Sequence, residues 1–278
     1  GNTFNFASTK NEFSDHIKRL SKIEFKRNKE ISSQLTMVDY SNKFSKVIQR
    51  ILKLKKPNAP YIKKNILMLY DLKSCHVSAI NDHLNAFKYF SEHRVDFLPI
   101  SNNTQKKASQ SFKLYDVICI HYSLRICFTQ SYPKWLPKKL KEFKNLKIVF
   151  AQDEYDHVHQ SINFLSTSGI NILFTCIPNE NLEQVYPKKK LPSLKFIRNL
   201  TGYIPYNTSF NEVPDISERT IDVCYRGRDL SLTYGTLGIE KKFIGEKFLT
   251  EIKNRNINLI TDISSSSADR IYGYNWPV

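Results

Sequence analysis

The densest group of ionisable side chains in this 278-residue sequence lies at residues 152–157, which read Gln-Asp-Glu-Tyr-Asp-His. The group follows an apolar run and precedes a helical pattern, so we expect it where a strand meets a helix. Asp153 can cap that helix, and Asp153 and His157 would share a face within its first turn. A carboxylate beside an imidazole orients it for proton transfer. Asp153, Glu154 and His157 are therefore predicted catalytic residues.

His121 is a further catalytic candidate, because it ends the apolar run of residues 116–121. A histidine at the carboxyl end of a central strand is well placed for chemistry, but it can also be a hydrogen-bonded histidine of the core. Residues 152–157 have an alternative interpretation as well, as an acidic first turn favoured by the helix dipole, with an incidental histidine. The residues themselves leave both alternatives open.

A basic group lies further along the chain at Arg226-Gly227-Arg228, directly after the apolar run of residues 221–225. Two guanidinium groups around a glycine suit a pyrophosphate. Lys241 lies near the start of the next predicted helix, residues 238–252, whose terminal amides would add an anion site. A basic turn without a ligand is the alternative.

Other polar residues follow the remaining apolar runs. Asp71 comes directly after residues 65–70, His76 lies in the same loop, and Tyr122 follows His121. His83 lies beside the apolar face of the helix predicted next. The carboxyl ends of parallel strands share one edge of a sheet, and ligands bind there. We therefore expect these four residues near the four catalytic candidates.

The elements that must hold these residues follow from the hydrophobic pattern, in which short apolar runs alternate with amphipathic segments. The predicted strands are residues 65–70, 94–98, 116–121, 146–151, 171–176 and 194–199. The predicted helices are residues 78–92, 133–144, 154–166 and 179–185. This alternation is typical of an α/β domain, a Rossmann-like parallel sheet with helices on both faces.

The same pattern divides the chain into four parts. Residues 1–57 carry helical spacing without strand signals, which predicts a helical N-terminal arm. Residues 58–206 form the predicted Rossmann-like domain, and residues 207–219 form a linker. Residues 220–278 are expected to be the start of a second Rossmann-like domain, incomplete at its C-terminal end, with a strand, a basic loop that contains a glycine, a helix and a second strand in that order.

The net charge of +16, from 42 Lys and Arg against 26 Asp and Glu, favours a polyanionic partner. Nucleic acid, anionic lipid headgroups and phosphate-bearing substrates all fit this charge. The aromatic residues fall mostly at predicted core positions and no nucleic-acid-binding module is recognisable, so we expect no specific nucleic acid.

Several motifs are absent from the sequence. It contains no Gly-x-Gly-x-x-Gly or Walker A loop, so no such motif predicts a dinucleotide or nucleoside triphosphate site. No Cys-x-x-Cys or Cys/His cluster predicts a metal, and the five scattered cysteines are expected to be buried thiols of a reducing compartment. No apolar run approaches the length of about 18–20 residues that spans a membrane. We therefore predict a cytoplasmic protein without a cofactor.

A series of short segments resembles bacterial GT-B glycosyltransferases from surface-polysaccharide (capsule or O-antigen) gene clusters. The resemblance covers about residues 62–278. It rests on Phe174-Thr-Cys-Ile-Pro178, Val185-Tyr-Pro187, Leu200-Thr-Gly-Tyr-Ile-Pro205, Arg219-Thr-Ile-Asp-Val-Cys-Tyr-Arg-Gly-Arg228, Gly238-Ile-Glu-Lys241, Ile244-Gly-Glu246, Asp262-Ile-Ser264 and Arg270-Ile-Tyr-Gly273.

The resemblance implies two facing Rossmann-like domains and metal-independent transfer of a sugar from an activated, usually nucleotide, donor. The first domain would bind a glycan or lipid-linked glycan acceptor, through Asp71, His76, His83 and Tyr122. His157 or His121 would take the proton of the sugar hydroxyl, with Asp153 as the orienting partner. The second domain would bind donor phosphates through Arg226, Gly227, Arg228 and Lys241. The acidic residue with which this family usually holds the donor ribose would lie beyond Trp276.

Two other classes of function fit the residues. The chain can be a non-catalytic scaffold that binds a glycan or a partner protein through its basic arm and the sheet edge. It can also be a basic protein that binds nucleic acid, which would show strongly salt-dependent association with any duplex. For the enzyme, we expect a cytoplasmic location and peripheral contact with an anionic membrane.

Overall fold

The computed structural model describes residues 63–199 and 216–269, together with Lys46. Apart from Lys46, the helical arm predicted for residues 1–57 lies outside these ranges, as do residues 207–215 of the predicted linker. Residues 63–199 belong to one compact unit and residues 216–269 to another. Within the described ranges, no helix has both the length and the apolar character that crossing a bilayer requires.

The first unit contains a six-stranded sheet in which every pairing is parallel. Its strands are β1 (Asn65–Tyr70), β2 (Arg94–Pro99), β3 (Val117–Ile120), β4 (Leu146–Phe150), β5 (Ile172–Thr175) and β6 (Lys195–Arg198). The spatial order is β2-β1-β3-β4-β5-β6. The predicted parallel α/β sheet is confirmed, and the fold is compatible with a Rossmann-like one.

The hydrophobic pattern reflects position in the sheet. β3 and β5 are buried at every residue, because inner strands of a parallel sheet are covered on both faces. The outer strands β2 and β6 are mostly half-buried or exposed. The apolar runs therefore predicted the inner strands well, since burial on both faces leaves little room for polar side chains.

Helices lie on both faces of this sheet. They are α1 (Ser78–Phe90), α2 (Gln105–Ser111), α3 (Leu136–Glu142), α4 (Val158–Ser168) and α5 (Leu182–Val185). α1 packs Ile80, Leu84 and Phe87 against strand residues such as Ile66 and Met68. The helices α2 to α5 pack against the alternate strand residues, such as Leu67 and Leu69. α2 was not predicted, because residues 105–111 offer one buried apolar side chain, Ala108.

The chain changes direction between β1 and β3, which are neighbours in the sheet. β1 continues through α1 to β2, whereas β3 continues through α3 to β4 in the opposite direction and over the other face. In open α/β sheets, a reversal of this kind marks the place where ligands bind beyond the carboxyl ends of the strands.

α4 begins four residues later than the pattern predicted, at Val158 instead of Glu154. The reason is the backbone of the preceding loop, where Asp153 has φ of 56° and His157 has φ of 44°. A helix of L-amino acids cannot pass through left-handed residues. The expectation that Asp153 caps this helix is therefore wrong, since His157 occupies the cap position and makes no capping bond through its side chain.

The second unit contains a strand, a helix and a parallel strand: β7 (Val223–Arg226), α6 (Gly235–Asn254) and β8 (Thr261–Ser264). This order of elements confirms the pattern predicted for these residues. The Tyr225 hydroxyl donates to the carbonyl oxygen of Lys241 at 2.6 Å, and the Gly227 amide donates to Ser264 O at 3.0 Å. These bonds fix the loop after β7 against α6 and β8.

Replacing Gly227 by alanine is expected to destabilise the second unit by about 2 kcal/mol, because extra volume in a tightly packed site forces the backbone to shift. A Cβ atom at this position would collide with the Lys241 carbonyl oxygen and the Tyr225 ring. Hydrogen exchange of peptides from β7 and α6 should become faster. Thr236→Ala, at an exposed position of α6, is the control and should leave exchange unchanged. Equal protection from hydrogen exchange in Gly227→Ala and Thr236→Ala would contradict the close approach of Gly227 to Lys241 and Tyr225.

Candidate functional site

The loops after β1 and β3 meet at the reversal point through Asp71 and Ser123. The Asp71 amide donates to Ser123 Oγ at 3.0 Å. The Asp71 carboxylate accepts from Ser74 Oγ at 2.5 Å and from the Lys73 amide at 3.2 Å. Asp71 therefore shapes its own turn and also ties the two loops together. Ser123 was not predicted, because its partner is 52 residues away in sequence.

His121 lies beneath this junction and is fully buried. Its Nδ1 accepts from the Ser123 amide at 3.1 Å, and its Nε2 lies 2.9 Å from Nδ1 of His83. A neutral imidazole that accepts at Nδ1 carries its proton on Nε2, so His121 donates to His83. His83 and His121, both predicted site residues, thus form one buried hydrogen-bonded pair.

Burial determines the protonation of this pair, because an apolar environment disfavours an imidazolium. Desolvation lowers the pKa of His83 to about 3, and desolvation together with His83 lowers the pKa of His121 well below its usual range. The rings of Phe87 and Phe150 pack against His83. The structure therefore favours the interpretation of His121 as a core histidine, out of reach of an acceptor hydroxyl.

Tyr122 and His76 lie closer to solvent. The Tyr122 hydroxyl donates to Ala79 O at 3.2 Å, and burial, followed by Asp82, raises the pKa of Tyr122 to about 12. His76 is exposed, with Nδ1 at 2.8 Å from Lys73 O. Of the four predicted acceptor residues, Asp71, His76 and Tyr122 lie on the loops at the sheet edge and His83 lies below them.

Asp153 forms an ion pair that the sequence did not indicate. Its Oδ2 lies 2.7 Å from Nη2 of Arg125, a residue of the loop after β3. The Arg125 guanidinium also stacks over the Phe128 ring, 4.3 Å from its centroid. Arg125 therefore joins the loops after β3 and β4. No motif or spacing marks it, and its one sequence signal is a position shortly after a strand.

His157 pairs with Asp156, its neighbour in sequence, and not with Asp153. The distance from His157 Nδ1 to Asp156 Oδ1 is 2.5 Å, and 43% of the His157 side chain is exposed. The expected Asp153–His157 pair is wrong because neither residue is in the helix, so they do not share a helical face. The structure nevertheless contains a carboxylate–imidazole pair in this loop, with Phe128 4.9 Å from the His157 ring.

Glu154 points into the protein and is 6% exposed. It accepts hydrogen bonds from Thr175 Oγ1 at 2.6 Å, the Cys176 amide at 2.8 Å and the Tyr186 hydroxyl at 2.9 Å. Burial, followed by Glu154, raises the pKa of Tyr186 above its usual range. Three donors engage the Glu154 carboxylate, so the predicted catalytic residue instead ties the loop after β4 to the end of β5.

Backbone strain is concentrated in the same loop. The described residues contain three non-glycine residues with positive φ, and two of them, Asp153 and His157, lie within it. Such a conformation costs on the order of 1 kcal/mol or more for each residue. Strain of this kind persists where surrounding contacts enforce it, and it is frequent at functional sites. The Arg125 and Asp156 contacts supply that enforcement here.

In the second unit, the Arg226 guanidinium forms hydrogen bonds with other residues of the same unit. Its guanidinium donates to Asp262 Oδ2 at 2.6 Å, Asp262 O at 2.8 Å and Asp269 O at 3.1 Å. The hydrogen bond between the two side chains raises the pKa of Arg226 and lowers that of Asp262. Arg226 therefore links β7 to β8 and to Asp269, and the structure does not leave it available as a phosphate clamp.

Arg228 and Lys241 differ from Arg226 in this respect. Arg228 is half-buried and makes no hydrogen bond or ion pair with another described residue. The Lys241 carbonyl oxygen is used by Tyr225, and its ammonium group forms no ion pair within residues 216–269. Gly227 lets the chain pass close to α6 between the two arginines.

No group of three or more His, Cys, Asp or Glu side chains in the described ranges is arranged to hold a metal ion. The five cysteines are free thiols, and Cys119 and Cys127 are buried. In comparisons with known proteins, no family model, no curated protein and no solved structure matches this chain.

Proposed function

We propose that this chain is a glycosyltransferase that moves a sugar from a nucleotide-activated donor to a growing surface glycan. The observation that carries the proposal is the Asp156–His157 pair, which stands half-exposed in a strained loop at the carboxyl end of β4. The motif resemblance to GT-B enzymes and the parallel α/β sheet give this pair its context. The loop is also held rigidly by the Arg125–Asp153 ion pair.

The chemistry assigned to this pair is general base catalysis. Asp156 bonds Nδ1 of His157, which leaves Nε2 as the proton acceptor, and the carboxylate stabilises the imidazolium that forms. His157 takes the proton of an acceptor hydroxyl while that oxygen attacks the anomeric carbon of the donor. The bond from this carbon to the phosphate oxygen breaks, and a nucleoside diphosphate leaves.

The leaving group carries negative charge, which basic groups and helix amides stabilise. Within the second unit we assign this role to Arg228, Lys241 and the N-terminal end of α6, whose first turn contains no acidic residue. Arg226 acts indirectly, because its bonds to Asp262 hold β7 and β8 in register. This assignment requires no metal ion.

Turnover of a panel of UDP-, GDP- and dTDP-sugars by the full-length protein tests the proposal, with release of nucleoside diphosphate as the readout. His157→Ala is expected to lower turnover about a hundredfold, because it removes the general base. Asp156→Asn is expected to lower turnover about tenfold, because the imidazolium loses its counter-charge.

The matched control is His159→Ala, which removes an exposed histidine whose ring lies 6.3 Å from that of His157. It should retain the turnover of the unmodified protein. Unchanged turnover in His157→Ala would refute the assignment of the base. A protein that binds none of these donors in calorimetry would refute the glycosyltransferase and favour the scaffold alternative.

A further inference from the structure

The helical segments on the two faces of the first unit differ in charge. On the face covered by α1, residues 77–93 contain two acidic residues and one lysine. On the opposite face, residues 101–115 and 128–145 contain eight lysines, one glutamate and no arginine. We call these eight lysines the lysine face: Lys106, Lys107, Lys113, Lys134, Lys138, Lys139, Lys141 and Lys144. The segments around α2 and α3 therefore carry much more positive charge than the segment around α1.

The segments that carry the lysine face meet at the C-terminal ends of α2 and α3. Both helices contribute to the same core cluster, and the rings of Phe112 and Phe143 lie 6.2 Å apart at their C-terminal ends. Asn145 Nδ2 donates to Tyr115 O at 3.3 Å, which joins the segments that follow the two helices. Lys113 and Lys144, which are far apart in sequence, therefore lie in adjoining segments.

Most of this charge is uncompensated. Lys139 pairs with Glu142 at 2.7 Å. The other seven lysines are exposed and form no ion pair with a described residue. Electrostatic self-repulsion makes such a surface unfavourable in isolation, and a polyanionic partner relieves it.

The type of residue indicates which polyanion fits. Lysine provides a point charge on a flexible apolar stem, whereas specific phosphate recognition favours the planar fork of arginine. Leu114 is the one large apolar side chain within residues 101–145 that is strongly exposed, at 72%, and it lies next to Lys113. Exposed aromatic rings, on which single-stranded nucleic acid stacks, do not occur among these residues. Lysines around an exposed leucine instead match the headgroup region of an anionic bilayer.

We propose that the lysine face binds the surface of an anionic lipid bilayer, with Leu114 entering the boundary between headgroups and acyl chains. The contact is peripheral and electrostatic, so it weakens as salt is added. It does not depend on the proposed sugar transfer. None of the eight lysines belongs to residues 152–157, the loop that carries the Asp156–His157 pair.

Sedimentation of the full chain with lipid vesicles tests this proposal. The protein is expected to sediment with vesicles in which about one third of the phosphatidylcholine is replaced by phosphatidylglycerol, and to stay in solution with pure phosphatidylcholine. The combined variant Lys138→Glu, Lys141→Glu and Lys144→Glu should lower the affinity for anionic vesicles at least about tenfold. Leu114→Ser should lower it by a factor of about three.

The matched control is a second triple variant, Lys188→Glu, Lys189→Glu and Lys190→Glu. It makes the same change in net charge at residues outside the lysine face. These three lysines are exposed and lie outside α2 and α3. The control should retain most of the affinity. Equal losses in the two triple variants would overturn the proposal in favour of bulk charge. Sedimentation with pure phosphatidylcholine would overturn it too, as would tighter binding to duplex DNA at equal phosphate concentration.

Discussion

Glu154→Ala is expected to lower the free energy of unfolding of the first unit by about 3–5 kcal/mol, because removal of a buried carboxylate leaves its donors without partners. Those donors are Thr175 Oγ1, the Cys176 amide and the Tyr186 hydroxyl, all within 2.9 Å of the carboxylate. Urea unfolding followed by circular dichroism measures the loss. Glu180→Ala removes an exposed glutamate nearby and should change the midpoint little.

Glu154→Gln separates the structural role from a catalytic one. The amide keeps the shape of the side chain but presents a donor where the carboxylate accepts, so the variant should also unfold at lower urea. A variant that unfolds like the unmodified protein but has lost turnover would contradict the structural assignment. Tyr186→Phe, which removes one of the three donors, is expected to cost about 1 kcal/mol.

Acid is expected to destabilise the protein through the His83–His121 pair. Both histidines have folded-state pKa values below the ordinary value of 6.5, with that of His83 at about 3. The unfolded chain therefore binds more protons than the folded protein as the pH falls below about 6.5. The stability contributed by the neutral pair is complete above that pH and is lost progressively below it. Between pH 6.5 and 4.5 the expected loss is on the order of 4 kcal/mol for the two imidazoles.

The test of this expectation is the slope of the unfolding free energy against pH. His83→Leu removes one of the two groups. Once the contribution of the carboxylates, which both proteins share, is subtracted, the slope of the variant over this range should be about half that of the unmodified protein. Stability at neutral pH is not the readout, since the substitution also removes the hydrogen bond to His121. His159→Gln serves as the control at an exposed histidine and should retain the full slope. An unchanged slope in His83→Leu would contradict a neutral buried pair.

Most of the architecture could be predicted from the sequence, because the signals are local. Each inner strand is a short apolar run, since it is buried on both faces, and α1 shows its buried face as Ile80, Leu84 and Phe87. The sequence also predicted which edge of the sheet carries Asp71, His121 and residues 152–157, because the carboxyl ends of parallel strands meet there. The order of strand, helix and strand in residues 223–264 was predicted for the same reason.

The roles of individual site residues could not be predicted in this way. Asp153 pairs with Arg125, 28 residues away, Glu154 with Tyr186, 32 residues away, and His121 with His83, 38 residues away. No periodicity encodes such pairs, and each depends on how loops from different strands meet. The left-handed backbone at Asp153 and His157 also depends on these contacts, because the intrinsic preference of both residues opposes it.

The sequence alone thus determined the parallel sheet, its helical cover and the edge that carries the ionisable residues, because burial and periodicity are properties of neighbouring residues. The tertiary structure decided which of those residues face solvent. It buried Glu154 and His121 in hydrogen-bonded networks, committed Arg226 to Asp262 and left His157 half-exposed beside Asp156. The physical reason is that the environment of a polar side chain is set by groups distant in sequence, whose donors and acceptors must all be satisfied once water is excluded.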